Sequence, residues 1–499
     1  MKLTILFLFL TSLLLTFCST PEKEKQPEKK EKMYMVICFD VEDYTSPESV
    51  GMDEIPKWEA EIMTEEGVTG TFFVIGEKAR SMEKRGRTDV TQAMAKHDIG
   101  SHTNYGSIHP TVTEILEKAN WDDGLAAMLE NETAGFRDLE RIFGQRPANL
   151  ARHGGSYGPQ LVGALSEMKA GYVYSPAGLP GHNAVWFCNT LNFHGEGNYG
   201  SFDNTYYQDS LFNPRFNALD TLISKDIGEI DVTVFFANHP SKVRSIQFWD
   251  FNYYKGANPE PSEWKTPELR PLESMQTAQK NFRRLMRYLG DRDDIELTTY
   301  REMIKQFGKQ ENEISSKKLG TIAGRILKEN AIVIDEQFNP AEVFTALAES
   351  LTNYSETGKL PDVLKVIRPL GPLKMPVEQP EINTTSKNDA FTLCSSALNY
   401  VRKTGHLPPA LLLDEHVIGT GSLLALFSNM YLEILNGNIS DQLDLISFPV
   451  YPSENAQQIL DDVAACKGWP VHREDLDMAN LIEMTKLQLW TLKPAQIVK

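Results

Sequence analysis

From Met33 onward, short unbroken apolar runs alternate with stretches whose apolar residues recur every three or four positions. The runs at 33–39 (MYMVICF), 70–75 (GTFFVI), 172–175 and 232–237 (VTVFFA) are too brief and too uniformly apolar for surface helices, so they predict buried strands. Helical spacing predicts helices over 57–66, 111–134, 136–143, 160–170 and 274–289. This alternation across 33–308 predicts an α/β domain with a parallel sheet, either open or closed into a (β/α) barrel. After residue 309 the pattern changes to Leu/Ala-rich helices at 315–328, 341–351 and 423–435, which predicts a smaller, mainly helical C-terminal domain over 309–499. Within it Phe344, Leu351, Gly358, Leu360 and Pro361 recur 47 residues later as Phe391, Leu398, Gly405, Leu407 and Pro408. That recurrence suggests a duplicated repeat over 336–375 and 383–433, with chance matches among common residues as the rival explanation.

The first 32 residues follow different rules. Lys2 precedes an apolar run over 3–15 that is short for a bilayer span and has the shape of a secretory signal. Leu15-Thr16-Phe17-Cys18 resembles a bacterial lipobox, which makes Cys18 the expected lipidation site and 1–18 the signal peptide. Residues 19–32, dominated by Lys, Glu and Pro, contain nothing that could build a core and read as a charged tether. The expectation is an exported protein of the bacterial cell envelope, lipid-anchored to the membrane and periplasmic or surface-exposed.

Composition narrows the partners. With 50 Lys+Arg against 68 Asp+Glu, the net charge of −18 disfavours a nucleic-acid partner. Five cysteines in 499 residues do not make a disulfide scaffold; Cys38, Cys188, Cys394 and Cys466 read as buried thiols or one or two bridges.

In a parallel α/β fold the C-terminal ends of strands carry the chemistry. Four such ends hold reactive side chains. The first strand runs into Asp40, Glu42 and Asp43; alternation puts Asp40 and Glu42 on one face, while Asp43 reads equally as a turn or helix cap. A Gly/Ser-rich loop carries His102 and His109, imidazoles that could join a carboxylate around a divalent ion. A third end, Ala151-Arg152-His153-Gly154-Gly155-Ser156-Tyr157, offers a guanidinium beside a glycine turn that allows close approach of a ligand. The fourth places His239 at the edge of an aromatic strand stopped by Pro240, a position suited to a general acid or base. Trp186, Trp249, Tyr253 and Tyr254 could stack on sugar rings, although packing is the commoner use of such residues.

In that order, these four ends resemble the polysaccharide deacetylase family, the NodB-homology carbohydrate esterases (carbohydrate esterase family 4). The resemblance extends over 35–307, and the FDVED form resembles a divergent branch. It implies a distorted (β/α) barrel that removes N-acetyl groups from an acetylated polysaccharide with one divalent metal ion, zinc or another transition metal. By position, Asp40 would be the general base, Arg152 would hold it, and His239 would protonate the leaving nitrogen. Glu42 or Asp43 would bind the metal with His102 and His109, because Gly106 stands where the family has a second histidine. The backbone of the turn around Gly154, Gly155 and Tyr157 would bind the oxyanion, and Trp249 would contact substrate. The acidic partner of His239 could be Asp203, Asp209 or Asp231. The C-terminal repeats loosely resemble cell-wall-binding repeats of the pseudomurein type. Two rivals remain: a catalytically silent glycan binder, and a hydrolase of non-sugar C–N bonds on the same barrel.

Overall fold

The computed structural model describes residues 32–194, 199–229 and 232–496. The expected signal peptide, nearly all of the tether, Cys18 and Asp231 lie outside the described residues. Among the described residues no helix is long and apolar enough to cross a membrane.

The barrel strands are β1 (Met33–Val41), β2 (Thr71–Val74), β3 (Asp98–Ser101), β4 (Asn149–Ala151), β5 (Gly171–Ser175), β6 (Ala184–Phe187), β7 (Thr190–His194), β8 (Val232–Asn238) and β9 (Ile295–Thr298). β1 is central, which is why its sequence is apolar on both faces. It pairs in parallel with β8 along one edge, and with β9 and β2 along its first and second halves. Parallel pairing continues through β3, β4 and β5 to β7. The β6–β7 hairpin turns through Cys188 and Asn189, both at positive φ (49° and 58°). The sheet ends at β8 on one side and, beyond β6, at an antiparallel strand Lys493–Pro494 on the other. It is thus a curled half-barrel open at its margin.

Where 111–134 reads as one helix, the chain forms two. A capping box at Thr111 starts Val112–Leu116, and Asn120 caps a new helix, Trp121–Phe143, that continues through the expected 136–143 segment. Cys38, Cys188, Cys394 and Cys466 are buried free thiols.

In the C-terminal region, helices Ser316–Glu329, Pro340–Thr357, Lys387–Thr404 and Thr420–Leu435 pack around their own core. The two helices picked out by the 47-residue recurrence both end on left-handed glycines, Gly358 and Gly405. Their flanking strands pair in another grouping: Glu313–Ser315 with Val363–Lys365, and Thr384–Ser386 with Gln442–Asp444. The chain then returns to the barrel. Ile459, Val463, Leu476, Leu481, Leu489 and Leu492 share one core with Leu116, Tyr157, Leu161 and Val185. Buried Lys493 is paired with Glu342 at 2.8 Å, tying the last strand to the helical region.

The loop after β1 is braced from below. Lys78 donates to the Asp43 carbonyl at 2.5 Å and pairs with Asp53, which also binds Arg85 at 2.8 Å. Burial opposes the Asp53 charge, but these two cations win and hold its carboxyl down to about 2. Its folded value is depressed, so its stabilising contribution is complete above the unfolded value of about 4 and is lost as pH falls toward 2. Asp53→Ala, which strands a buried lysine, is expected to cost about 3–5 kcal/mol in denaturant unfolding at pH 7, with the deficit shrinking as the titration approaches pH 2.

Candidate active site

Register brings the four strand ends together. Val41 pairs with Val74, Val74 with Ser101, and Ser101 with Leu150, so the residues just past β1, β3 and β4 emerge at one rim. Alternation along β1 points Asp40 and Glu42 the same way, and both are buried. The side chains that meet Glu42 are His102, one residue past β3; His153, two past β4; and His239, one past β8.

Glu42 Oε1 lies 3.1 Å from His102 Nε2 and 3.1 Å from His153 Nδ1, and 4.0 Å from His239 Nε2. Asp40 Oδ2 stands 3.6 Å from His102 Nε2 and 3.9 Å from His239 Nε2. Glu42, His102 and His153 form one set with metal-ligand proximity, and Asp40, Glu42 and His239 a second that shares Glu42.

The outer contacts determine what these atoms can do. His102 Nδ1 faces the Ala151 carbonyl at 3.1 Å, so it must carry the proton there. In the neutral ring Nε2 then aims a lone pair at a carboxylate oxygen. His153 Nε2 contacts Ser107 Oγ at 3.0 Å, and its buried Nδ1 faces Glu42 without any hydrogen bond. These three atoms lie close enough together to share a metal ion. Two imidazoles and a carboxylate are the donor set of zinc or a neighbouring transition metal, and the residues fit such an ion.

The electrostatics agree. Burial would raise the Glu42 carboxyl, yet His239, His102 and His153 hold it well below the usual range. Burial disfavours charge on His239, but Asp203, Glu42 and Asp40 raise it to about 10. Burial and the Glu42 charge push Asp250, from the neighbouring segment, up to about 7.

Several expected residues sit elsewhere. Asp43 is consumed by its own turn: Oδ1 accepts from the Thr45 and Ser46 N–H groups at 3.0 Å, and Oδ2 from Ser46 Oγ at 2.7 Å. It stabilises a turn and does not cap a helix, and Glu42 faces the imidazoles in its place. His109 turns away, with Nδ1 at 2.7 Å from Glu114 and Nε2 at 3.2 Å from the Tyr253 carbonyl. Gly106 is left-handed (φ +62°) and a Cβ there would press on the tip of Ile75 at 2.7 Å, so a histidine at this position would strain the loop. The second imidazole comes instead from His153.

Arg152, expected to hold Asp40, has Cys466 Sγ as the partner of its Nη1 at 2.9 Å. In the glycine turn, the Ser156 N–H already donates to the His153 carbonyl and the Tyr157 N–H to Thr113 Oγ1. Tyr157 is fully buried, so it does not present a face to substrate. Cβ atoms on Gly154 or Gly155 would strike Trp469 or the Cys466 carbonyl, each at 2.3 Å. Trp249 is also fully buried and is a support: its indole N–H donates to Glu42 Oε2 at 2.9 Å. Trp186 and Tyr253 are buried too, which leaves Tyr254 as the exposed member of that aromatic set.

Of the three acids considered for His239, Asp203 is the partner. Its carboxylate accepts from His239 Nδ1 at 2.9 Å and from the His239 backbone N–H at 2.9 Å. Asp209 instead accepts from Asn281.

No family model and no curated protein matches the chain. Among solved structures, a protein assigned as a polysaccharide deacetylase from Mycobacterium smegmatis aligns at 13% identity and a TM-score of 0.37, covering 56% of this chain and 91% of that one. A family 4 acetyl xylan esterase from Clostridium thermocellum, in complex with a cobalt ion, aligns at 14% identity and a TM-score of 0.28, covering 55% of this chain and 92% of its own. A CE4 family pseudoenzyme from Bacillus anthracis aligns at 12% identity and a TM-score of 0.26, over 43% of this chain and 58% of its own. Each of these alignments is partial and at low identity.

Proposed function

We propose that the protein is a metal-dependent hydrolase that removes N-acetyl groups from an extracellular or cell-wall polysaccharide. The observation that carries this reading is the convergence of His102 and His153 on one oxygen of Glu42, with Asp40 and an acid-bound His239 beside them. Glu42, His102 and His153 would hold a divalent ion, which when bound would supply Lewis-acid polarisation of the amide carbonyl and of water.

The chain's own residues supply the rest. Asp40 is the base placed to take a proton from the attacking water. Asp203 fixes the His239 ring through Nδ1, which leaves Nε2 turned toward the site. At 19% exposure His239 is the most accessible of the imidazoles around Glu42, as the group that meets the substrate nitrogen must be. It delivers its proton to that nitrogen as the C–N bond breaks, releasing acetate and a free amine on the sugar. Trp249 holds Glu42 so that Oε1 faces the imidazoles. The C-terminal strand–helix units would help hold the polymer, and export with lipidation at Cys18 would place the reaction in the cell envelope.

Purified protein is expected to hold one equivalent of metal by elemental analysis, lost in His153→Ala and retained in His109→Ala. Asp40→Asn and His239→Ala should keep the metal and lose acetate release by about 100- to 10,000-fold. Metal-free wild type with no acetate release would favour the silent glycan binder, and ammonia release from cyclic amides without acetate release would favour the non-sugar hydrolase.

The Trp249 contact has its own test. Trp249→Phe keeps an aromatic side chain and removes the donor, and is expected to weaken metal binding by about 10- to 100-fold in a competitive chelator titration.

A further inference from the structure

Beside the Glu42 cluster lies a cavity of about 540 Å³ that neither half of the molecule forms alone. The barrel contributes Arg152, Gly155, Tyr174 and His194, and the C-terminal region contributes Asp462 and Trp469. Its volume falls within the roughly 300–1,000 Å³ that accommodates small organic ligands. It borders the site directly: Arg152 precedes His153 in the chain, and the Trp469 ring meets the His153 ring edge-on at 5.0 Å.

The lining has the mixed chemistry of a sugar, which presents an apolar ring face and a rim of hydroxyls. Trp469 is half-buried, wedged edge-on between His153 and His472 (5.0 and 5.1 Å). Arg152 is an under-used donor: Nη1 meets a thiol, a weak acceptor, and its buried Nε has no hydrogen-bond partner. Asp462 is an acceptor, with Oδ1 held by Gln458 at 2.9 Å. His194 commits Nδ1 to the Ser175 carbonyl at 2.9 Å, which leaves Nε2 as a further acceptor.

The backbone gives an independent sign. The β5–β7 register breaks between Val173 and Ser175, and Tyr174 sits there at φ +60°. A left-handed tyrosine in a bulged strand end is strained, and such strain gathers at functional sites.

We propose that this cavity is a saccharide subsite next to the reacting acetamide, and that the 462–469 segment selects the sugar unit it accepts. The proposal rests on the hydrolase reading above and assigns the C-terminal region a part in substrate choice.

The test uses the full chain loaded with zinc, with chitotetraose, an N-acetylglucosamine β-1,6 trimer and the peptidoglycan disaccharide as probes. Acetate release gives kcat and KM, and calorimetry on the metal-free chain gives binding. For the probe accepted, Trp469→Ala and Asp462→Asn should raise KM and weaken binding by about tenfold or more with kcat nearly unchanged, the signature of lost substrate binding. Metal content should stay at the wild-type level, and Trp469→Phe should recover most of the affinity. Equal KM and equal binding in wild type and both variants, or no probe bound by wild type, overturns the subsite. Acetate release that the variants leave untouched would sink the subsite and spare the hydrolase. Binding that Trp469→Ala abolishes, without acetate release by wild type, would sink the hydrolase and spare the subsite.

Discussion

A carboxylate oxygen facing two imidazole nitrogens, out of reach of bulk water, is the constraint around which this molecule is organised. The Ala151 carbonyl fixes the His102 tautomer so that a lone pair meets Glu42. An uncompensated buried carboxylate costs several kcal/mol, so positive charge must reside there, either as a proton on His239 or as a bound cation. Everything nearby serves that requirement. Trp249 and Ser107 set the orientation of Glu42 and His153, and Asp203 sets that of His239. The contacts of Glu42 with His102 and His153 would not survive a one-residue slip among β1, β2, β3 and β4, since such a slip turns side chains to the opposite face.

The C-terminal region belongs to the same design. Cys466 and Trp469 lie against the turn that follows His153, so closely that Gly154 and Gly155 must lack side chains. Leu481 and Leu489 share a core with Leu161 and Tyr157, and Lys493 links the sheet margin to Glu342. A detachable binding module would show a polar boundary; here apolar packing crosses it.

Much of the barrel was legible because its signals are local. Uniform apolar runs mark β1, β2 and β8; the ends of β1 and β8 display Asp40, Glu42 and His239, and the Gly/Ser-rich loop after β3 displays His102. What escaped depends on distant parts of the chain. His153 lies in Ala151-Arg152-His153, two residues past β4, a three-residue strand too short to produce a sequence signal of its own. His109 shares a loop with His102, and only the cramped space at Gly106 and the pull of Glu114 show that it turns outward. Asp203 reaches His239 from an irregular segment with no periodicity to place it. Trp249 reads as a sugar platform because an aromatic residue in an irregular segment gives no sign of its burial. The β6–β7 hairpin was invisible because its turn uses Cys188 and Asn189 at positive φ, where glycine is the usual marker.

The strand Lys493–Pro494 has a bearing on how the protein comes into being. It covers the β6 margin, yet it follows every other strand in chain order. During synthesis the ribosome releases the rim that carries Glu42 and His153 long before the piece that seals its flank. Until that piece emerges, the nascent sheet carries a raw edge open to wrong partners. A chain delivered unfolded to its final compartment would escape that hazard, because all of its strands would arrive before any of them had to commit.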